Sequence, residues 1–92
     1  MSGSNRVRVA VVDSGIAAGH PHVGEVAEGV SLVEGVDDTL DRIGHGTAVA
    51  GAIREKAPGA ELVPVKVFER ALKTDGATLA AAIRWAAEHE CR

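Results

Sequence analysis

Asp13 and His45 have side chains and settings suited to acid–base chemistry. Asp13 closes the run Val9-Ala10-Val11-Val12 and is followed by Ser14-Gly15, so an apolar stretch stops abruptly on a carboxylate and a turn. In open α/β sheets, ligands and catalytic groups gather just beyond the carboxyl ends of the strands. A carboxylate after Val12 would sit there. The same residues also read as a plain turn, because aspartate bonds readily to its own backbone in Asp-Ser-Gly. His45 stands between Gly44 and Gly46 and leads into Thr47-Ala48-Val49-Ala50-Gly51. An imidazole at a helix start meets the positive end of the helix dipole, which favours the neutral ring that a general base requires. The flanking glycines would admit another segment closely, and Thr47 has a hydroxyl able to satisfy free amides of the first turn. Taken alone, His45 reads equally well as an ordinary helix-start residue.

Other chemistry-bearing side chains carry less. His20, His22 and His45 are conceivable metal ligands, but their spacing across a loop is unspecific and solvated loop histidines are the better reading. No metal ligand is therefore assigned. Cys91 is the only cysteine, which excludes an internal disulfide and a cysteine-based zinc site. Near the end of the chain it reads as a core residue rather than a reactive thiol.

The elements that must position Asp13 and His45 follow from the apolar pattern. Residues 6–12 begin alternating and become continuously apolar, as expected of a strand buried on both faces of a parallel sheet. Residues 16–28 read as loop, Val30–Val33 as a short second strand, and 35–43 as an acidic loop. Gly44 to about Ala57 reads as a helix stopped by Pro58-Gly59, and its core, Ala48–Ile53, is apolar on every side. Such a helix is normally enclosed by protein. Residues 61–68 form the next strand, with Pro64 expected at an early or irregular position because it cannot donate to a ladder. A second helix is expected from about Ala77 to Glu90, with Leu79, Ala82, Ile83 and Ala86 at helical spacing and Arg84 and Glu88 pointing out, away from that face. Strands alternating with helices predict an α/β fold with a parallel sheet of about three strands and two main helices. The order calls for a further strand after Glu90.

Composition narrows the class. Apolar residues make up 46% of the 92, with one Trp, one Phe and no Tyr, so small aliphatic side chains must build the core. Residues 1–92 are expected to form one partial domain, with 1–5 a flexible tail. A net charge of −3 argues against nucleic acid or an anionic membrane surface as a partner. No run approaches the roughly 18 apolar residues of a membrane span. The polar opening Met1-Ser2-Gly3-Ser4-Asn5-Arg6 carries no visible secretory signal, and a cytoplasmic location is expected.

Joint occurrence changes the weight of the two motifs. Asp13 precedes His45 by 32 positions, and each has a distinctive neighbourhood: Val-Val-Asp-Ser-Gly, then Gly-His-Gly-Thr-Ala-Val-Ala-Gly. Together they resemble the first two catalytic segments of the subtilisin-like serine proteases, the subtilases. The resemblance runs from residue 7 to residue 90. It includes His20-Pro21, the segments Ala57–Leu62 and Val65–Val67, and Ala82-Ile83-Arg84-Trp85-Ala86. It implies the N-terminal part of a three-layer, parallel-sheet subtilisin-like fold. It also implies a serine endopeptidase in which Asp13 orients His45 and His45 deprotonates a serine. Peptide or protein substrates follow from it. Calcium is a cofactor the family often uses, but Asp37, Asp38 and Asp41 lack the regular spacing of a calcium loop, so no cofactor is expected. Asp41, four residues before His45, is expected to help position that loop.

Departures from the family pattern matter equally. The nucleophile segment Gly-Thr-Ser is absent: the serines are Ser2, Ser4, Ser14 and Ser31, none in that context, and the one asparagine is Asn5. The chain by itself is therefore expected to be inactive and to need a complementary part bearing the serine. A second reading is a non-catalytic α/β remnant that binds a partner or self-associates as a homo-oligomer through an unpaired sheet edge. Receiver-like signalling domains also place Val-Val-Asp at a strand end, but His-Gly-Thr has no role there.

Overall fold

The computed structural model describes residues 6–91; the expected tail, residues 1–5, lies outside the described residues. The β-branched run ending at Asp13 forms β1 (Arg8–Asp13), and the chain then loops to a short β2 (Val30–Ser31). Helix α1 (His45–Lys56) crosses to β3 (Glu61–Lys66), and α2 (Gly76–Glu88) follows. All pairings are parallel and the strand order is β1-β3-β2, with Asp13 opposite Lys66 and Val30 opposite Val65. This is the α/β architecture expected, with β3 central.

Alternation along β1 divides the core between the two faces of the sheet. Val9 and Val11 pack with Ile16, Val23, Leu62 and the α1 residues Val49, Ala50 and Ile53. Ala10 and Val12 face the other way, onto Val65, Val67 and the α2 residues Ala82 and Trp85. Asp13 has the parity of Val11, so the strand delivers its carboxylate to the α1 face.

Two expectations are corrected. Pro64 occupies the middle of the central strand, fully buried. The amides of Glu61 and Val67 bond to Val7 and Asp13 carbonyls on the β1 side. Strand alternation then turns the nitrogen of Pro64 toward the opposite side, where β2 has not yet begun. Gly29 leaves the space: a Cβ there would stand 1.8 Å from the Pro64 carbonyl oxygen and 2.9 Å from its ring. The second correction concerns α2. Its inward residues are Ala82 and Trp85, while Leu79 and Ile83 are exposed. Asp75 caps this helix by accepting from the Thr78 amide at 2.7 Å.

Beyond α2 the chain turns back to the sheet. Cys91 makes one parallel bridge to Arg8, on the open side of β1, where the expected further strand would pair. None of the described helices is long and apolar enough to cross a membrane.

Candidate active site

The sheet ends on a buried carboxylate. Asp13 is 7% exposed, and its Oδ1 accepts from the Ser14 amide at 2.8 Å. His45, the first residue of α1, brings Nδ1 to 2.9 Å from both Asp13 oxygens. A carboxylate can only accept, so Nδ1 carries the proton and Nε2 of the neutral ring keeps its lone pair. The His45 side chain is half exposed, at 51%, whereas Asp13 is almost covered. The arrangement is a fixed acceptor behind an imidazole whose other nitrogen is the basic one.

Close backbone approach makes this contact possible. Gly46 packs against the turn after β1: a Cβ on it would lie 2.1 Å from the Gly15 carbonyl oxygen. The Gly46 amide donates to Ser14 Oγ at 2.9 Å. Thr47 Oγ1 accepts from the Ala17 amide at 2.9 Å, which ties α1 to the same turn a second time.

The first-turn amides of Gly46 and Thr47, and those of Ile43 and Gly44 just before α1, are satisfied by side chains outside the helix. Asp41 Oδ1 accepts from Ser14 Oγ at 2.7 Å, the Ile43 amide at 3.0 Å and the Gly44 amide at 2.7 Å. Oδ2 accepts from the Thr47 amide at 2.8 Å and from the Thr47 hydroxyl. Thr47, expected to cap free amides, instead donates its hydroxyl to Asp41 and bonds across to Ala17. Partial burial would raise the Asp41 carboxyl, but the Thr47 hydroxyl, the Gly44 amide and the Ser14 hydroxyl outweigh it and hold it at about 2.

Behind Asp41 the loop is tied to β3. Lys66 is completely buried; its Nζ bonds the Leu40 carbonyl at 2.7 Å and pairs with Glu69 and, at 3.5 Å, with Asp38. Arg42 pairs with Asp38 at 3.0 Å and with Glu69 at 2.9 Å. The Arg42 bond, aided by the Leu40 amide and opposed by desolvation, holds the Asp38 carboxyl at about 2. Sequence pattern alone does not reveal the roles of Ser14 and Lys66, because Ser14 meets Asp41 27 residues away and Lys66 meets Leu40 and Asp38 26 and 28 residues away.

The remaining candidates separate from this pair. His22 donates its amide to His20 Nδ1 at 3.1 Å, and the two rings stand 5.5 Å apart. They line a groove of about 630 Å³ along α1 with Ala17, Gly44, Ala48 and Gly51, and neither Asp13 nor His45 lines it. Among the described residues no three His, Cys, Asp or Glu side chains converge as metal ligands would. Ser14 Oγ is engaged by Asp41 and Gly46, Ser31 Oγ accepts from the Val33 amide, and among the described residues no hydrogen bond joins a serine hydroxyl to His45.

Comparison with known proteins agrees with the resemblance. A family model described as the Subtilase family matches residues 4–92. A thermostable alkaline protease of Halalkalibacterium halodurans is 40% identical over 91 residues, covering 89% of this chain and 25% of the relative. Subtilisin Savinase of Lederbergia lenta is 38% identical over 89 residues, 87% of this chain and 32% of the relative. Subtilisin DY of Bacillus licheniformis is 32% identical over 92 residues, 90% and 33% respectively. The chain thus spans a quarter to a third of the length of these curated relatives.

Proposed function

The chain belongs to the subtilase family, and from that premise we propose that it supplies the orienting aspartate and the general base of a serine endopeptidase. In this reading Asp13 holds the Nδ1 proton of His45, and Nε2 takes the proton of a serine hydroxyl contributed by a complementary part. The serine oxygen attacks the peptide carbonyl. The imidazolium then protonates the departing amine, with its charge stabilised by the Asp13 carboxylate. Water repeats the sequence on the acyl-enzyme, using the same base. Oxyanion donors and most of the substrate groove belong to the complementary part, so the 92-residue chain is inactive by itself. Peptides or proteins are the substrates, and the serine-bearing chain or segment is the required partner.

The observation that carries this reading is the 2.9 Å approach of His45 Nδ1 to both Asp13 oxygens, with the ring half exposed beyond it. A fluorophosphonate probe tests it. The chain alone is expected to stay unlabelled. Mixed with a serine-bearing segment encoded downstream or in a neighbouring frame, it should bring labelling to that segment's serine, and His45→Ala should remove the labelling. Labelling of the chain alone sinks the assignment of inactivity. Labelling of the partner that survives His45→Ala sinks the general-base assignment.

A further inference from the structure

Asp41 touches neither Asp13 nor His45, yet its carboxylate joins the segments that carry them. Ser14 directly follows Asp13, and Thr47 lies two residues after His45. Both give their hydroxyl protons to Asp41, one to each oxygen. The amides of Ile43, Gly44 and Thr47 complete the set, so every bond Asp41 makes here is one it accepts. Only a group that accepts on both oxygens fits such a site, since an amide nitrogen would meet donors with a donor. Because the Ser14 hydroxyl proton is committed to Asp41, its lone pairs face the Gly46 amide, directly beside His45. Lys66 ties the loop from which Asp41 projects to β3 through the Leu40 carbonyl.

We propose that Asp41 is a positioning residue that sets the Asp13–His45 geometry through Ser14 and the first turn of α1. The proposal rests on reading Asp13 and His45 as the orienting carboxylate and general base. It adds that their alignment depends on a second carboxylate with no part in proton transfer.

The test uses the ¹⁵N-labelled 92-residue chain and the His45 Nδ1 proton, which proton NMR detects as a strongly deshielded signal when it is held by a carboxylate. In the unaltered chain this signal is expected and exchanges slowly with water. Asp41→Asn, which keeps shape but turns one acceptor into a donor, should speed that exchange about tenfold, equivalent to about 1.4 kcal/mol of lost support. Far-ultraviolet circular dichroism and the Trp85 indole signal, from the opposite face of the sheet, should not change. Arg42→Ala removes the neighbouring ion pairs but none of the Asp41 bonds, so it should keep the slow exchange.

Thr47→Val should speed the exchange, and Thr47→Ser, which retains the hydroxyl, should restore it. A folded Asp41→Asn chain with an unaltered Nδ1 signal overturns the proposal. If Asp41→Asn does not fold, equal exchange in Thr47→Val and Thr47→Ser overturns it instead. Absence of the held proton from the unaltered chain overturns the Asp13–His45 pairing itself, a failure distinct from one seen only in the variants.

Discussion

Gly46 and Gly51 occupy the same helix, and their surroundings assign them opposite tolerances. A methyl group on Gly46 would stand 2.1 Å from the Gly15 carbonyl oxygen, so α1 would have to lift from the turn that carries Asp13. At Gly51 the nearest atom to an added Cβ is the His22 Cβ at 3.7 Å, an ordinary contact. Gly46→Ala is expected to cost about 3 kcal/mol through overpacking. Gly51→Ala should be neutral or stabilise by up to about 1 kcal/mol through helix propensity. Urea unfolding of the two variants checks this, and equal midpoints would contradict the close approach. The glycines flanking His45 were visible in the sequence. What comes close to Gly46 was not, because Gly15 lies 31 positions earlier.

The loop before α1 is an element held largely by its own carboxylates. Asp38 and Asp41 sit at about 2, and Glu69 is lowered chiefly by its bond to Lys66. For Asp38 and Asp41 the folded values lie below the ordinary 3.8 of an aspartate. Their contribution is therefore fully present above about pH 4 and is lost as pH falls toward 2. Amide proton shifts of Gly44 and Thr47, both bonded to Asp41, should stay flat from pH 7 to about 3 and move with a midpoint near 2. A midpoint at 3.8 would show that the Asp41 contacts do not persist in solution. Composition identified an acidic loop here, but acidity alone predicts solvated side chains. The Asp38–Arg42 pair is local to the loop, whereas the pairing with Lys66 arises because β3 brings Lys66 opposite Asp13. Pro64 follows the same logic, since its place in the central strand depends on the small size of Gly29.

At the scale of the whole molecule, the sheet is covered on both faces, but the covering helices are not themselves enclosed. Leu79 is 40% exposed and Ile83 is 67% exposed on the outer side of α2. Replacing both with lysine should change stability by no more than about 0.5 kcal/mol per site, as for ordinary surface positions. It should also reduce concentration-dependent association, read by light scattering. A loss of several kcal/mol would mean that these side chains are packed in solution. The all-apolar stretch of α1 shows the same incompleteness, with Gly46 and Ala50 buried while Ala48 and Ala52 are exposed. Both helices carry more apolar surface than 92 residues can cover.

The sequence alone determined the order of strands and helices, the helix starting at His45, the strand ending at Asp13 and the family resemblance. These depend on residues near one another in the chain: apolar periodicity, turn formers, and motifs a few residues long. Which face of α2 turns inward, how Pro64 is tolerated, and how Asp41, Ser14 and Lys66 brace the pair were decided by tertiary structure. Each depends on partners distant in the chain, brought close by strand register and by the missing side chains of Gly29 and Gly46. Local pattern can indicate that a carboxylate and an imidazole are available; packing sets the distance between them.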